Sequence, residues 1–183
     1  MKRGRESLTG GTGDVSPQFM SFSATQSAAD TTTTATQQVP IQRLPTGQRA
    51  QVMEVLKVFF NLPLTAASAS ATEAVDSITA FLSTSSFGTT STSFSEPRVV
   101  AAAKSNSRHA FTAGGTYYTV MPGIIVVDVT DGAGHGVLVA TDNIFLQVVS
   151  ATTGNANTVD VKVLYRWKNV SLQEYIGIVQ SQQ

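Results

Sequence analysis

Residues 159–170 read VDVKVLYRWKNV and alternate with a period of two. Val159, Val161, Val163, Tyr165 and Trp167 fall on one side, and Asp160, Lys162, Leu164, Arg166 and Lys168 on the other. Successive side chains of a strand leave opposite sides of the pleat. The stretch therefore reads as a half-buried β-strand with its aromatics in a core and its cations outside. Three of the chain's 12 Lys and Arg residues occupy that outward side, and they need a reason to be there.

The same texture recurs upstream. AQVMEVLKVFF (50–60) stops at Asn61, Leu62 and Pro63. Val52, Val55, Leu56 and Phe59 would fit a helical face, but the Val and Phe content and the proline stop favour a strand. VDSITAFLST (75–84) alternates loosely. RVVAAAK (98–104) reads as a short strand with SNSRH turning after it, and TYYTVMP (116–122) and GIIVVDV (123–129) follow. VLVA and IFLQVVS flank TDN at 141–143, read as a tight hairpin or a bulge. No stretch reads as a convincing helix, and there is no internal repeat. Seven or eight short strands, spaced by Gly, Ser, Thr and Asn turns, predict an all-β sandwich or barrel over residues 41–183.

Residues 1–40 are a different material. Gly, Ser, Thr and Gln dominate, and Phe19, Met20 and Phe22 form the one sticky cluster. Such a segment buries too little apolar surface to offset its ordering entropy, so a flexible N-terminal arm is expected.

The totals narrow the function classes. At 183 residues the chain suits one domain with a real core. Hydrophobic residues make up 42% and charged residues only 13%, so Ser, Thr, Asn and Gln must build most of the polar surface. That suits β-structure and surfaces meant to touch other surfaces. Zero net charge and a pI near 6.7 argue against a freely diffusing nucleic-acid binder and leave little repulsion between copies. The absence of cysteine excludes disulfides and thiolate chemistry. MKRGRESLTGG has cations without a following apolar run, so it is not read as a signal peptide, and IIVVDV (124–129) is too short to span a bilayer. A soluble protein without a membrane partner is expected.

Catalytic chemistry finds little footing. The two histidines, His109 in SNSRHAF and His135 in DGAGHGV, read as strand-end or turn residues, because a Ser near a His is commonplace in a Ser-rich chain. Nothing pairs the carboxylates of Asp128, Asp131 and Asp142. DVTDGAG (128–134) lacks the Asp/Asn spacing and final Glu of a calcium loop. GGTGD (10–14) and GAGHG (132–136) precede no helical pattern and carry no phosphate-loop Lys. The reading is therefore no enzyme, no catalytic residue, no metal and no cofactor. Two cationic features remain, Lys2, Arg3 and Arg5 at the head of the arm, and Lys162, Arg166 and Lys168 along one strand. They are the candidate DNA-binding residues, and plain solvation is the competing account. Single-strand binders interleave aromatics and cations on one face, whereas Tyr165 and Trp167 fall opposite these cations.

The C-terminal third, GHGVLVATDNIFLQVVSA and NTVDVKVLYRWKNVSLQEYIGIVQSQQ, resembles capsid proteins of circular, replication-initiator-encoding single-stranded DNA viruses, the circovirus-like group. VMEVLKVFF, ITAFLSTSSFGTT and SEPRVVAAAK are similar to strands of the same group, so the resemblance spans roughly 41–183. It implies a single jelly-roll β-sandwich of two four-stranded antiparallel sheets behind a flexible N-terminal arm. It also implies a sixty-copy, T=1 icosahedral homo-oligomer around a circular single-stranded DNA genome. Localisation would be the virion, assembled inside the host cell, and a host surface receptor would remain unnamed. On that reading the six cations line the interior. Many of the group begin with a long Arg-rich run, and this chain has only MKRGR, so protein would neutralise the DNA only in part. The alternative is a β-sandwich attachment module using Ser, Thr and Asn loops on glycans, which predicts small oligomers.

Overall fold

The computed structural model describes residues 16–39, 49–63, 74–112, 115–120 and 123–182. Among the described residues ten strands and one helix run in the order β1 (Gln18–Thr25), β2 (Thr32–Gln38), β3 (Arg49–Leu62), β4 (Ala74–Ser83), β5 (Val99–Thr112), β6 (Gly115–Val120), β7 (Gly123–Asp128), β8 (Val137–Val139), β9 (Asn143–Ala151), β10 (Thr158–Ser171) and α1 (Leu172–Ser181). One sheet has the order β1-β10-β3-β7, with β8 also paired to β3. The other has the order β2-β9-β4-β5-β6. Every pairing is antiparallel. The chain passes repeatedly from one sheet to the other, so that β10 lies between β1 and β3, and β9 between β2 and β4. This nesting is the jelly roll.

The expected four-stranded sheets need amending. β7 pairs with Lys57–Leu62 of β3 and β8 with Met53–Val55, so both share one lane and the first sheet is four lanes wide. The second sheet gains β6 as a fifth lane, because β5 runs to Thr112 rather than turning after residue 104. The described part of the expected arm of 1–40 is not an arm, and residues 1–15 lie outside the described residues. Residues 18–25 and 32–38 are strands, paired along their whole length to β10 and β9. A polar Thr-rich segment that cannot fold alone is ordered here by ladder hydrogen bonds to apolar neighbours. Residues 141–143 make no hairpin, because β8 and β9 belong to different sheets.

β10 folds as its alternation requires. Val159, Val161, Val163, Tyr165 and Trp167 are all buried in the core between the sheets, facing Ile78, Leu82, Ile144, Leu146 and Val148 of the second sheet. Each such large apolar side chain contributes about 1.5–3 kcal/mol through burial. Tyr165 and Trp167 meet edge to face with centroids 5.7 Å apart, and the Tyr165 hydroxyl donates to Gln18 at 3.3 Å. Burial pushes the Tyr165 phenol above its usual pKa.

β3 does not keep one parity. Leu164 faces Lys57 but Tyr165 faces Val55, so Leu56 is an extra residue in the β3 ladder. Met53 and Val55 enter the core before this bulge, and Val58, Phe60 and Leu62 after it. The switch from odd to even numbers is what a β-bulge does to strand facing.

The helix was not expected. Its start has the S-x-x-E spacing of a capping box, SLQE, and the Ser171 hydroxyl accepts from the Glu174 amide at 3.2 Å. At its other end Gln182 ties it to the first sheet, accepting from the Ala140 amide at 3.0 Å and donating to the Leu138 carbonyl at 2.5 Å. Among the described residues no helix is long and apolar enough to cross a membrane.

Candidate functional site

The outer face of the first sheet carries the strand-borne cations. Strand pairing lays its side chains out as a grid across β1, β10, β3 and β7. Phe19, Leu164, Lys57 and Asp128 form one row, and Ser21, Lys162, Phe59 and Val126 the next. Ser23, Asp160, Asn61 and Ile124 form the third. Arg166 and Lys168 continue β10 beyond the bulge, opposite Glu54 and Val52.

At the bulge end Glu54 is wholly buried although it points away from the core. Its Oε2 accepts from Arg166 Nε at 2.5 Å, and its Oε1 accepts from the Gly136 amide at 2.9 Å and lies 3.7 Å from Lys168 Nζ. Arg166 also donates to the Gly134 carbonyl at 3.2 Å, so the 130–136 loop is drawn over the carboxylate. Burial is the largest influence on Glu54 and pushes its pKa up. The hydrogen bonds from Arg166 and Gly136, with the charges of Arg166 and Lys168, outweigh it and hold the group below its usual value. A buried charge must be paired and hydrogen-bonded to be tolerated, and here two cations of the stripe do that work. Gly136 makes the approach possible, since a Cβ there would lie 1.9 Å from the Val55 carbonyl oxygen.

The other end of the stripe is different in kind. Lys162 is exposed, with Nζ 4.3 Å from the centroid of the Phe19 ring. Phe19 stands 6.2 Å from Phe59, tilted by 59°, and is 55% exposed. Ile124 beside them is 65% exposed. These residues, with Ser21, Ser23, Asn61 and Asp160, line an open groove of about 710 Å³. Asn61 donates to Asp160 Oδ2 at 3.1 Å along its floor. The aromatics that Tyr165 and Trp167 do not supply to this face are thus supplied by the flanking strands. The sequence signal was the apolar pair Phe19 and Phe22 within a polar segment, of which Phe19 turns outward and Phe22 packs against the core.

The remaining candidates separate. Lys2, Arg3 and Arg5 lie outside the described residues. His109 sits within β5, its backbone in register with Ala74 and Tyr118. His135 Nδ1 lies 3.0 Å from Asp131 Oδ2 in an exposed turn, where Asp131 also accepts from the amides of Ala133 and His135. The hydrogen bonds from His135 hold the Asp131 carboxyl below its usual value. Asp128 is held down to about 2 by the Thr130 hydroxyl and amide, and then by Lys57 at 3.0 Å. These are turn-closing bonds of the Asx type. Among the described residues no group of three or more His, Cys, Asp or Glu is placed to hold a metal ion.

No family model matches the sequence, and no curated protein does. Solved structures match its fold. VP1 of Trichodysplasia spinulosa-associated polyomavirus in complex with 3'-sialyllactose superposes with a TM-score of 0.55 at 7% identity, covering 85% of this chain and 96% of that one. The same VP1 with sialylated glycooligomers gives 0.54 at 8%, covering 85% and 95%. Merkel cell polyomavirus VP1 with disialyllactose gives 0.50 at 8%, again covering 85% and 95%. At such identity the likeness is one of fold: this chain is a jelly roll of the architecture found in these viral capsid proteins. Polyomaviruses carry double-stranded DNA, so these neighbours differ in genome type from the group that the sequence resembles.

Proposed function

We propose that the chain is a structural capsid protein, one copy of a self-assembling shell. The observation that carries this reading is the jelly-roll fold, β1-β10-β3-β7 over β2-β9-β4-β5-β6, which superposes on polyomavirus VP1 with a TM-score of 0.55. Zero net charge supports it, since copies without mutual repulsion can close on one another. In the finer form the shell is a T=1 icosahedron of sixty copies around a circular single-stranded DNA genome, assembled inside the host cell and residing in the virion.

The outer face of the first sheet then looks inward. Lys162 supplies an open cation there, with Lys2, Arg3 and Arg5 at the head of the chain that leads into β1. Arg166 and Lys168 contribute less, because Glu54 cancels one of their two charges. Shell proteins of this kind need no catalytic residue, and no enzymatic role is proposed.

Negative-stain microscopy of the purified protein at neutral pH and moderate salt tests the reading, with absorbance at 260 nm reporting carried nucleic acid. Closed particles with a nucleic-acid absorbance are expected. A population of monomers or small oligomers overturns the shell and favours the glycan-attachment module. Closed particles without nucleic acid keep the shell and remove the genome.

A further inference from the structure

We infer that the groove between β1, β10 and β3 is a stacking site for an unpaired nucleobase, with Phe19 as its platform and Lys162 as its phosphate contact. The inference rests on the shell reading for its occupant and adds residues, Phe19 and Phe59, that sequence reasoning did not place in any site. Single-strand binders join an aromatic face to a cation that tracks the backbone, because every base offers a π-face and every linkage a charge. The two flanking strands build that combination here. Phe19 is more than half exposed, its ring is set at 59° to that of Phe59, and Lys162 Nζ lies 4.3 Å from its centroid.

Phe19 meets Phe59 and the Lys162 ammonium, remains more than half exposed, and leaves a groove of about 710 Å³ beside it. That space is of the size that small ligands occupy, within about 300–1,000 Å³. Asn61, Asp160, Ser21 and Ser23 place amide, carboxylate and hydroxyl groups along it, able to meet the edge of a base.

Charge favours this occupant over an apolar partner. Lys162 is exposed and has no carboxylate within ion-pair distance among the described residues, in contrast to Arg166, Lys168 and Lys57. Asp160 sits at the far side from Phe19, two residues along β10 from Lys162, where it repels phosphate and sets the backbone to the Lys162 side.

The test uses the full-length chain, below the concentration at which particles form, titrated against a labelled oligothymidylate of about ten residues and an abasic phosphodiester of equal length. Phe19→Ala is expected to weaken oligothymidylate binding about tenfold and leave the abasic strand unchanged, with Phe19→Tyr restoring the parent value. Lys162→Gln is expected to weaken both strands and lower the salt slope by about 0.7. Thermal unfolding of each variant matching the parent establishes that the fold is intact.

Equal binding of oligothymidylate by parent and Phe19→Ala overturns the stacking site, as does equal weakening of both strands. Loss of assembly in Phe19→Ala with oligonucleotide binding untouched overturns it in favour of a second copy on this face. Binding of 3'-sialyllactose abolished by Phe19→Ala overturns it in favour of a glycan. Closed particles from a parent that binds neither strand overturn the site while the shell stands. Failure of the parent to form particles, with selective stacking retained, removes the shell and leaves the site.

Discussion

Along the outer face of β10, Arg166 and Lys168 close on a buried carboxylate, while Lys162 lies in the open over an aromatic ring. In the sequence the three are one stripe at even positions. In the fold the bulge at Leu56 divides them. Beyond it the 130–136 loop closes over the carboxylate, through the Gly136 amide and the Gly134 carbonyl, so the cations there are tied to a structural duty. Before it the face between β1 and β7 is open, and Lys162 is exposed with no carboxylate in ion-pair distance among the described residues. A cation's role follows from what covers its neighbour, and one extra residue in an adjacent strand decides that.

The contrast breaks most severely at Arg166. Arg166→Met leaves the buried Glu54 with the Gly136 amide and, 3.7 Å away, the Lys168 ammonium, and is expected to cost roughly 3 kcal/mol of folding stability. Lys168→Met removes the more distant and more exposed cation and is expected to cost no more than about 1 kcal/mol. Urea denaturation of each variant at neutral pH measures both. Acid sharpens the same point. The folded pKa of Glu54 lies below its ordinary value of 4.5, so the stabilisation is fully present above that value. It is lost as pH falls from there through the folded pKa, and the loss should be smaller in Arg166→Met. A variant as acid-sensitive as the parent would show that other carboxylates carry the slope.

Next in size is the loop that completes the covered end. In Gly136→Ala the added Cβ meets the Val55 carbonyl oxygen, a backbone atom that cannot swing aside, so the loop must withdraw and take its amide from Glu54. The expected cost is about 2 kcal/mol, and hydrogen exchange at the residue 136 amide should accelerate with it. Unchanged protection there would mean that the loop does not hold the carboxylate.

These two ends were not equally legible. The alternation of β10 announced its buried side in full, because a strand with one wet face writes its facing into the period. The core half of β3 was harder. Its buried residues change parity at the bulge, and the resulting spacing of Val55 and Val58 mimics a helical face. β1 and β2 were hidden for another reason. A Thr- and Ser-rich segment has no folding signal of its own, and its order comes from β10 and β9, far away in sequence. SLQE at 171–174 did carry a local signal for the helix, in the capping spacing of Ser and Glu. The pairing of Glu54 with Arg166 spans 112 residues, and no local pattern announces it. Phe19 beside Lys162 is likewise a product of register.

The smallest effect is expected where the cation is open. Lys162→Gln removes a solvent-exposed contact with one ring and should change folding stability by no more than about 0.5 kcal/mol in urea. That near-silence is what makes the substitution useful. Changing Lys162, Arg166 and Lys168 together would lower nucleic-acid content and stability at once, because Arg166 holds Glu54. Lys162→Gln alone separates the two, since a fall in carried nucleic acid with the urea midpoint unmoved can come only from the open end. A drop of more than about 1 kcal/mol would instead make Lys162 structural and erase the distinction between the two ends.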